Sequence, residues 1–143
     1  MITDSFVELI LDEYEVFLGH RLKSTERALA KEFIVSDISE DSRSGDVTRK
    51  LAALILHKSL QRFTEEKDDD WGFARNFKDI YDCRVCANAV AQVSVKGILM
   101  PVSKNEFGMV GTLSEKELRE ASERLFFSRK RVTKLLGLQE QGN

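Results

Sequence analysis

The stretch LSEKELREASERL, Leu113 to Leu125, decides the fold class. Ser114 followed three positions on by Glu117 forms a capping box. The hydroxyl accepts from the N3 amide, and the carboxylate reaches back to the cap amide. Leu113 and Leu118 flank the box as a hydrophobic staple. Leu118, Ala121, Leu125, Val132 and Leu135 then continue an apolar stripe at helical spacing as far as Gly137.

The same grammar recurs upstream. Phe6, Ile10, Tyr14 and Phe17 predict a first helix, with Ser5 and Glu8 as its capping box and Gly19 as its stop. A second, shorter helix is expected from Ser24 to about Phe33, with Ala28, Leu29 and Phe33 inward. A third spans Val47 to Phe63 on Leu51, Leu54, Ile55 and Leu60. A fourth spans Asp82 to Lys96 on Val85, Cys86, Ala89, Val90 and Val93, with Gly97 as its stop. Its alanines, Ala87, Ala89 and Ala91, let a neighbouring helix come close. Ser36 to Asp46 and Thr64 to Asp70 read as polar, solvated connectors, and Trp71, Phe73 and Phe77 as an aromatic plug on the core. The chain therefore reads as all-α: one compact helical domain over residues 1–143 with about five helices in helix-loop-helix units and little or no sheet. Possible sub-units cover 1–63 and 71–138.

Composition agrees. In 143 residues, 42% are apolar and 32% charged, enough for a core and too apolar for a disordered chain. One proline and eight glycines give too little turn punctuation for a sandwich or barrel. The 22 basic and 24 acidic side chains leave a net charge of −2, against a dedicated nucleic-acid binder. The apolar runs fall short of the roughly 18 residues that span a bilayer. The acidic N-terminal stretch is unlike a secretory leader, so the expected location is cytoplasmic unless the chain is a fragment of an exported protein.

Chemistry-bearing patterns are sparse. Cys83 and Cys86 have no second pair to complete a zinc site, so they read as packing thiols in a reducing compartment, with redox or metal roles as the alternative. His20 and His57 stand alone, and no phosphate-binding glycine motif, nucleophile elbow or metalloprotease motif occurs. No catalytic residue, cofactor or metal is expected, and the chain is not expected to be an enzyme.

One longer pattern stands out: Phe77, Asp79, Val90, Val93, Gly97-Ile98, Phe107, Leu113-Ser114 and Glu117. In spacing it resembles the S-layer homology repeat, which opens with Phe-x-Asp, runs a helix into Gly-Ile, loops through a Phe and restarts at Ile-Thr-Arg-x-Glu. The resemblance is clearest over Phe77 to Leu125, with a degenerate copy ending in Val47-Thr48-Arg49 and its helix, near Val47 to Phe63. It implies a helical bundle of such units. It also implies binding of acidic cell-wall polysaccharide through the Thr-Arg pair at a helix start, where a guanidinium beside helix amides suits an anion. Only Thr48-Arg49 keeps that pair; the later copy reads Ser114-Glu115.

The candidate ligand-binding residues are thus Thr48, Arg49 and Trp71. The expected function is a non-enzymatic interaction or assembly module that binds a protein partner or itself. The alternative is a cell-envelope anchoring module for acidic polysaccharide. A further alternative is a small regulatory nucleic-acid binder using SRKRVTK, Ser128 to Lys134. The deciding geometry is whether Thr48 and Ser114 start helices on a common groove, open at Arg49 or filled by Trp71.

Overall fold

A computed structural model describes residues 1–128, 130 and 131. Among them the chain forms six α-helices: α1 (Thr3–Leu18), α2 (Ser24–Val35), α3 (Glu40–Ser44), α4 (Arg49–Ser59), α5 (Ala87–Val95) and α6 (Glu115–Phe126). A π-helical turn, Leu60–Thr64, extends α4, and 3-10 turns occupy Gly72–Asn76 and Arg84–Cys86. No sheet forms among the described residues; extended pairing is confined to isolated bridges. The domain is all-α, as the apolar periodicity predicts. Val132, Leu135 and Gly137 lie outside the described residues.

The core is centred on α5, where Ala87, Ala89, Val90, Ala91, Gln92, Val93 and Ser94 are all buried. Its small side chains let α4 lie close alongside, bringing Ala52, Ala53, Ile55 and Leu56 into the same core. Around this pair close α1, through Phe6, Val7, Ile10 and Leu11, and α6, through Leu118, Ala121 and Leu125. An aromatic stack joins α1 to α6: Tyr14 lies 4.2 Å from Phe63 and 5.6 Å from Phe126, ring centre to ring centre. The α6 start is built as its sequence requires, since Glu117 N donates to Ser114 Oγ at 3.1 Å and Ser114 N to Glu117 Oε1 at 3.2 Å. Leu113 and Leu118 are both buried, and Gly97 follows α5 at φ 72°.

Several local expectations need correction. Helix α1 begins three residues earlier than its Ser5–Glu8 pattern suggests, with Ile2 at the cap position; Glu8 is turned instead to Arg27 and Lys31. Helix α2 is rotated from its expected orientation. Arg27 and Lys31 face α1 to meet its carboxylates, so Ala30, Ile34 and Val35 are buried while Ala28, Leu29 and Phe33 are exposed. The fourth expected helix starts late, at Ala87, because Cys83 is extended and a 3-10 turn intervenes; Val85 is then 85% exposed. The connector at Ser36 to Asp46 carries α3, capped by the Ser39 hydroxyl. The acidic segment Thr64 to Asp70 is not a free solvated bend. Gln92 clasps the Asp69 backbone with both amide atoms at 2.8 Å, and Lys96 donates to the Lys67 carbonyl at 2.9 Å. Of the aromatic plug, Phe77 is buried, Trp71 half-buried and Phe73 exposed.

Candidate functional site

The two helix starts singled out in the sequence meet in space. Thr48 pairs with Thr112 in an antiparallel bridge. Arg49 N donates to the Gly111 carbonyl at 2.8 Å, and Leu113 N to the Val47 carbonyl at 3.4 Å. The same pattern repeats one step back along the chain: Ile2 bridges Asp46, Thr3 N donates to the Gly45 carbonyl at 2.9 Å, and Val47 N to the Met1 carbonyl at 3.4 Å. Three helix starts, those of α1, α4 and α6, are thus laced side by side by one repeated bonding scheme. The first of them is illegible in sequence because Met1-Ile2-Thr3, which stands where Val47-Thr48-Arg49 does, has neither the capping hydroxyl nor the arginine.

Thr48 is the N-cap of α4, its hydroxyl accepting from Leu51 N at 3.3 Å. Arg49 is only 6% exposed. Its Nε donates to the Phe107 carbonyl at 3.0 Å, Nη2 donates to the Met100 carbonyl, and the guanidinium carbon lies 4.9 Å from the centre of the Phe107 ring. Burial pulls the guanidinium pKa below its usual value, against the opposing charges of Glu117 and Asp79. Asp79, the acid of Phe-x-Asp, grips the other side of the same loop. Its carboxylate accepts from the amides of Phe107 at 2.9 Å, Gly108 at 2.8 Å and Met109 at 3.4 Å. Burial alone would raise the Asp79 pKa, but these amides hold it below the ordinary range. Gly108 has φ 87°, and a Cβ there would meet Val102 Cγ1 at 2.8 Å, so the loop needs glycine at that point.

This loop walls a pocket of about 330 Å³ lined by Arg49, Lys50, Asp79, Asp82, Cys83 and Glu106 together with Val102 and residues 108–111. A second, of about 220 Å³, is lined by Thr48, Lys50, Leu51, Leu54, Cys86 and the Ser42–Asp46 side. Lys50 lines both. Thr48 and Arg49 therefore stand at adjoining concavities. Trp71 lines neither; its indole Nε1 donates to Asn88 Oδ1 at 3.0 Å, and its ring lies 6.2 Å from Tyr81. The groove is neither filled by Trp71 nor equipped with an available Arg49 guanidinium. The spacing does not single out the exposed valines in the lining of the first pocket, Val102 at 59% and Val110 at 80%.

Cys83 and Cys86 are joined as a disulfide, correcting their reading as free packing thiols: the turn before α5 places their Cα atoms 5.2 Å apart, within bridging range. His57 Nε2 pairs with Asp68 Oδ1 at 2.8 Å. Burial would raise the Asp68 pKa, but His57 and Asn88 lower it overall. Among the described residues no group of three or more His, Cys, Asp or Glu converges as a metal site, and no helix is long and apolar enough to cross a membrane. Of the SRKRVTK cations, Lys130 pairs with Glu123 at 2.7 Å and Arg131 with Glu66 at 2.6 Å, while Arg129 and Lys134 lie outside the described residues. No protein-family model, curated protein or solved structure matches the chain.

Proposed function

We propose that this chain is a non-enzymatic helical interaction module, built of units like the S-layer homology repeat, that docks a protein partner at the concavity beside Arg49. One observation supports the reading: the arginine that the resemblance assigns to an acidic sugar is spent internally, while apolar side chains stand exposed in the lining. Arg49 is consumed by two backbone carbonyls and Asp79 by three amides. Val102 and Val110 stand exposed in the lining of that concavity, and exposed apolar side chains at a concave surface are a mark of protein contact. Asp82 and Glu106 on the pocket lining favour a partner that brings an apolar side chain flanked by a cation.

The anchoring alternative keeps one supporting feature. Lys50 lines both pockets and forms no ion pair among the described residues, so it offers a cation at the start of α4. The two readings separate on the immobilised full chain. Protein docking predicts a partner retained by the wild type and lost by Val102→Asp/Val110→Asp, with unchanged far-ultraviolet circular dichroism. Retention of purified cell-wall polymer that is lost in Lys50→Ala would establish the anchoring reading instead. A solitary protein that retains neither would reject both.

A further inference from the structure

We propose that the Cys83–Cys86 disulfide is a thiol-exchange site, opened at Cys83 by the thiolate of a small thiol or of a partner dithiol. This goes beyond docking at the neighbouring pocket and does not depend on it.

The first support is asymmetry of access. Cys83 is partly exposed and lies in the wall of the 330 Å³ pocket, whereas Cys86 is 2% exposed and packed in the core. Cys86 also borders the 220 Å³ pocket, but with so little of its surface open an incoming thiolate reaches the Cys83 sulfur more readily. The second is the position of the departing sulfur. Cys86 is the N-cap of α5, a nine-residue helix, and the aligned peptide dipoles there favour a negative sulfur. The third is how little the bridge adds as a staple. The cysteines are separated by 3 in sequence, and a bridge restricts the unfolded chain less the shorter the loop it closes. The turn is already held without it: Cys86 N donates to the Cys83 carbonyl at 3.1 Å, and Asp82 N to the Asp79 carbonyl at 3.0 Å.

The chemistry balances within the pair. The incoming thiolate attacks Cys83 Sγ and forms a mixed disulfide. The Cys83–Cys86 bond breaks with its electron pair on Cys86 Sγ, which takes a proton from solvent. A second thiolate, from the same dithiol or from a second small thiol, then attacks the incoming sulfur and releases Cys83 as a thiolate, which takes the second proton from solvent. Two thiols leave as one disulfide, and the protein has gained two electrons and two protons. The charges around Cys83 are of both signs: Arg49, Lys50 and the adjacent Arg84 against Asp79, Asp82 and Glu106.

The test places the folded full-length chain in buffers of graded reduced to oxidised glutathione, followed by alkylation and intact mass. Trp71, the single tryptophan, bonds to Asn88 two residues past Cys86, so its emission follows the same turn. The proposal expects reversible interconversion with both forms populated. It further expects Cys86→Ser to form a glutathione adduct on Cys83 at least about tenfold faster than Cys83→Ser forms one on Cys86, because thiol exchange requires access to the attacked sulfur. A bridge that persists in excess reduced glutathione until the protein is denatured would mark a structural staple and overturn the proposal. So would thiols that never oxidise in the folded protein, or equal adduct rates in the two variants. The Val102→Asp/Val110→Asp protein should exchange normally, which separates failure here from failure of the docking reading. Dithiothreitol in place of glutathione distinguishes a dithiol from a small-thiol preference by which opens the bridge faster at equal thiol concentration.

Discussion

Two arginines in this molecule are held in place by different means. Arg27, on α2, is surrounded by carboxylates: Glu8 at 2.7 Å, Asp12 at 2.9 Å and Glu15 at 2.9 Å. Its side chain is 24% exposed, and two of those acids are more open still. Arg49, at the start of α4, is almost fully buried and meets no carboxylate directly; its partners are two carbonyls and an aromatic ring. A sequence reader sees two interchangeable cations. The structure separates a surface charge clamp, which water and salt can largely replace, from an internal bolt that nothing else in the loop at 100–111 can replace.

The comparison breaks most readily at Arg49. Arg49→Ala strips hydrogen bonds from the buried Phe107 carbonyl and from Met100, and is expected to cost about 3 kcal/mol or more in urea unfolding. A loss under 1 kcal/mol would reduce Arg49 to an ordinary surface cation. Next in size, Asp79→Asn should cost about 2 kcal/mol, since the three amides it holds lose a charged acceptor. It also carries a pH signature. The folded Asp79 pKa is depressed, so its contribution is complete above the unfolded carboxylate value of about 4 and is lost as pH falls through the lower folded value. The variant should flatten that acid limb of the stability curve, whereas an unchanged limb would deny the carboxylate its role. Smallest is Arg27→Ala, expected near 0.5 kcal/mol and shrinking as salt is raised, while the Arg49→Ala loss stays constant. Equal salt sensitivity in the two variants would dissolve the distinction.

These contrasts also show what was legible beforehand. The α6 start was readable because Ser114, Glu117, Leu113 and Leu118 act over one turn, so local spacing suffices. The stops at Gly19 and Gly97 were readable for the same reason. The orientation of α2 was not: Ala28, Leu29 and Phe33 and the set Ala30 and Ile34 both fit a helical period. The choice falls to Arg27 and Lys31 reaching across to α1, a pairing that no local pattern encodes. At the candidate site, the adjacency of the Thr48 and Ser114 helix starts was visible as an echo in sequence. Arg49 was visible as a residue but not as a buried one, because its burial depends on carbonyls at Met100 and Phe107, far along the chain. The apolar spacing predicts helix at Cys83 and Cys86, whereas the extended backbone at Cys83 turns them toward each other.

The lacing of the three helix starts has a consequence for synthesis. Helix α1 leaves the ribosome before α6, and its aromatic partner Phe126 follows more than a hundred residues after Tyr14. Until then Tyr14 and Phe17 have no α6 ring to cover them. Assembly must therefore wait on a late closure between distant segments, which slows folding and leaves apolar surface within reach of chaperones in the interval.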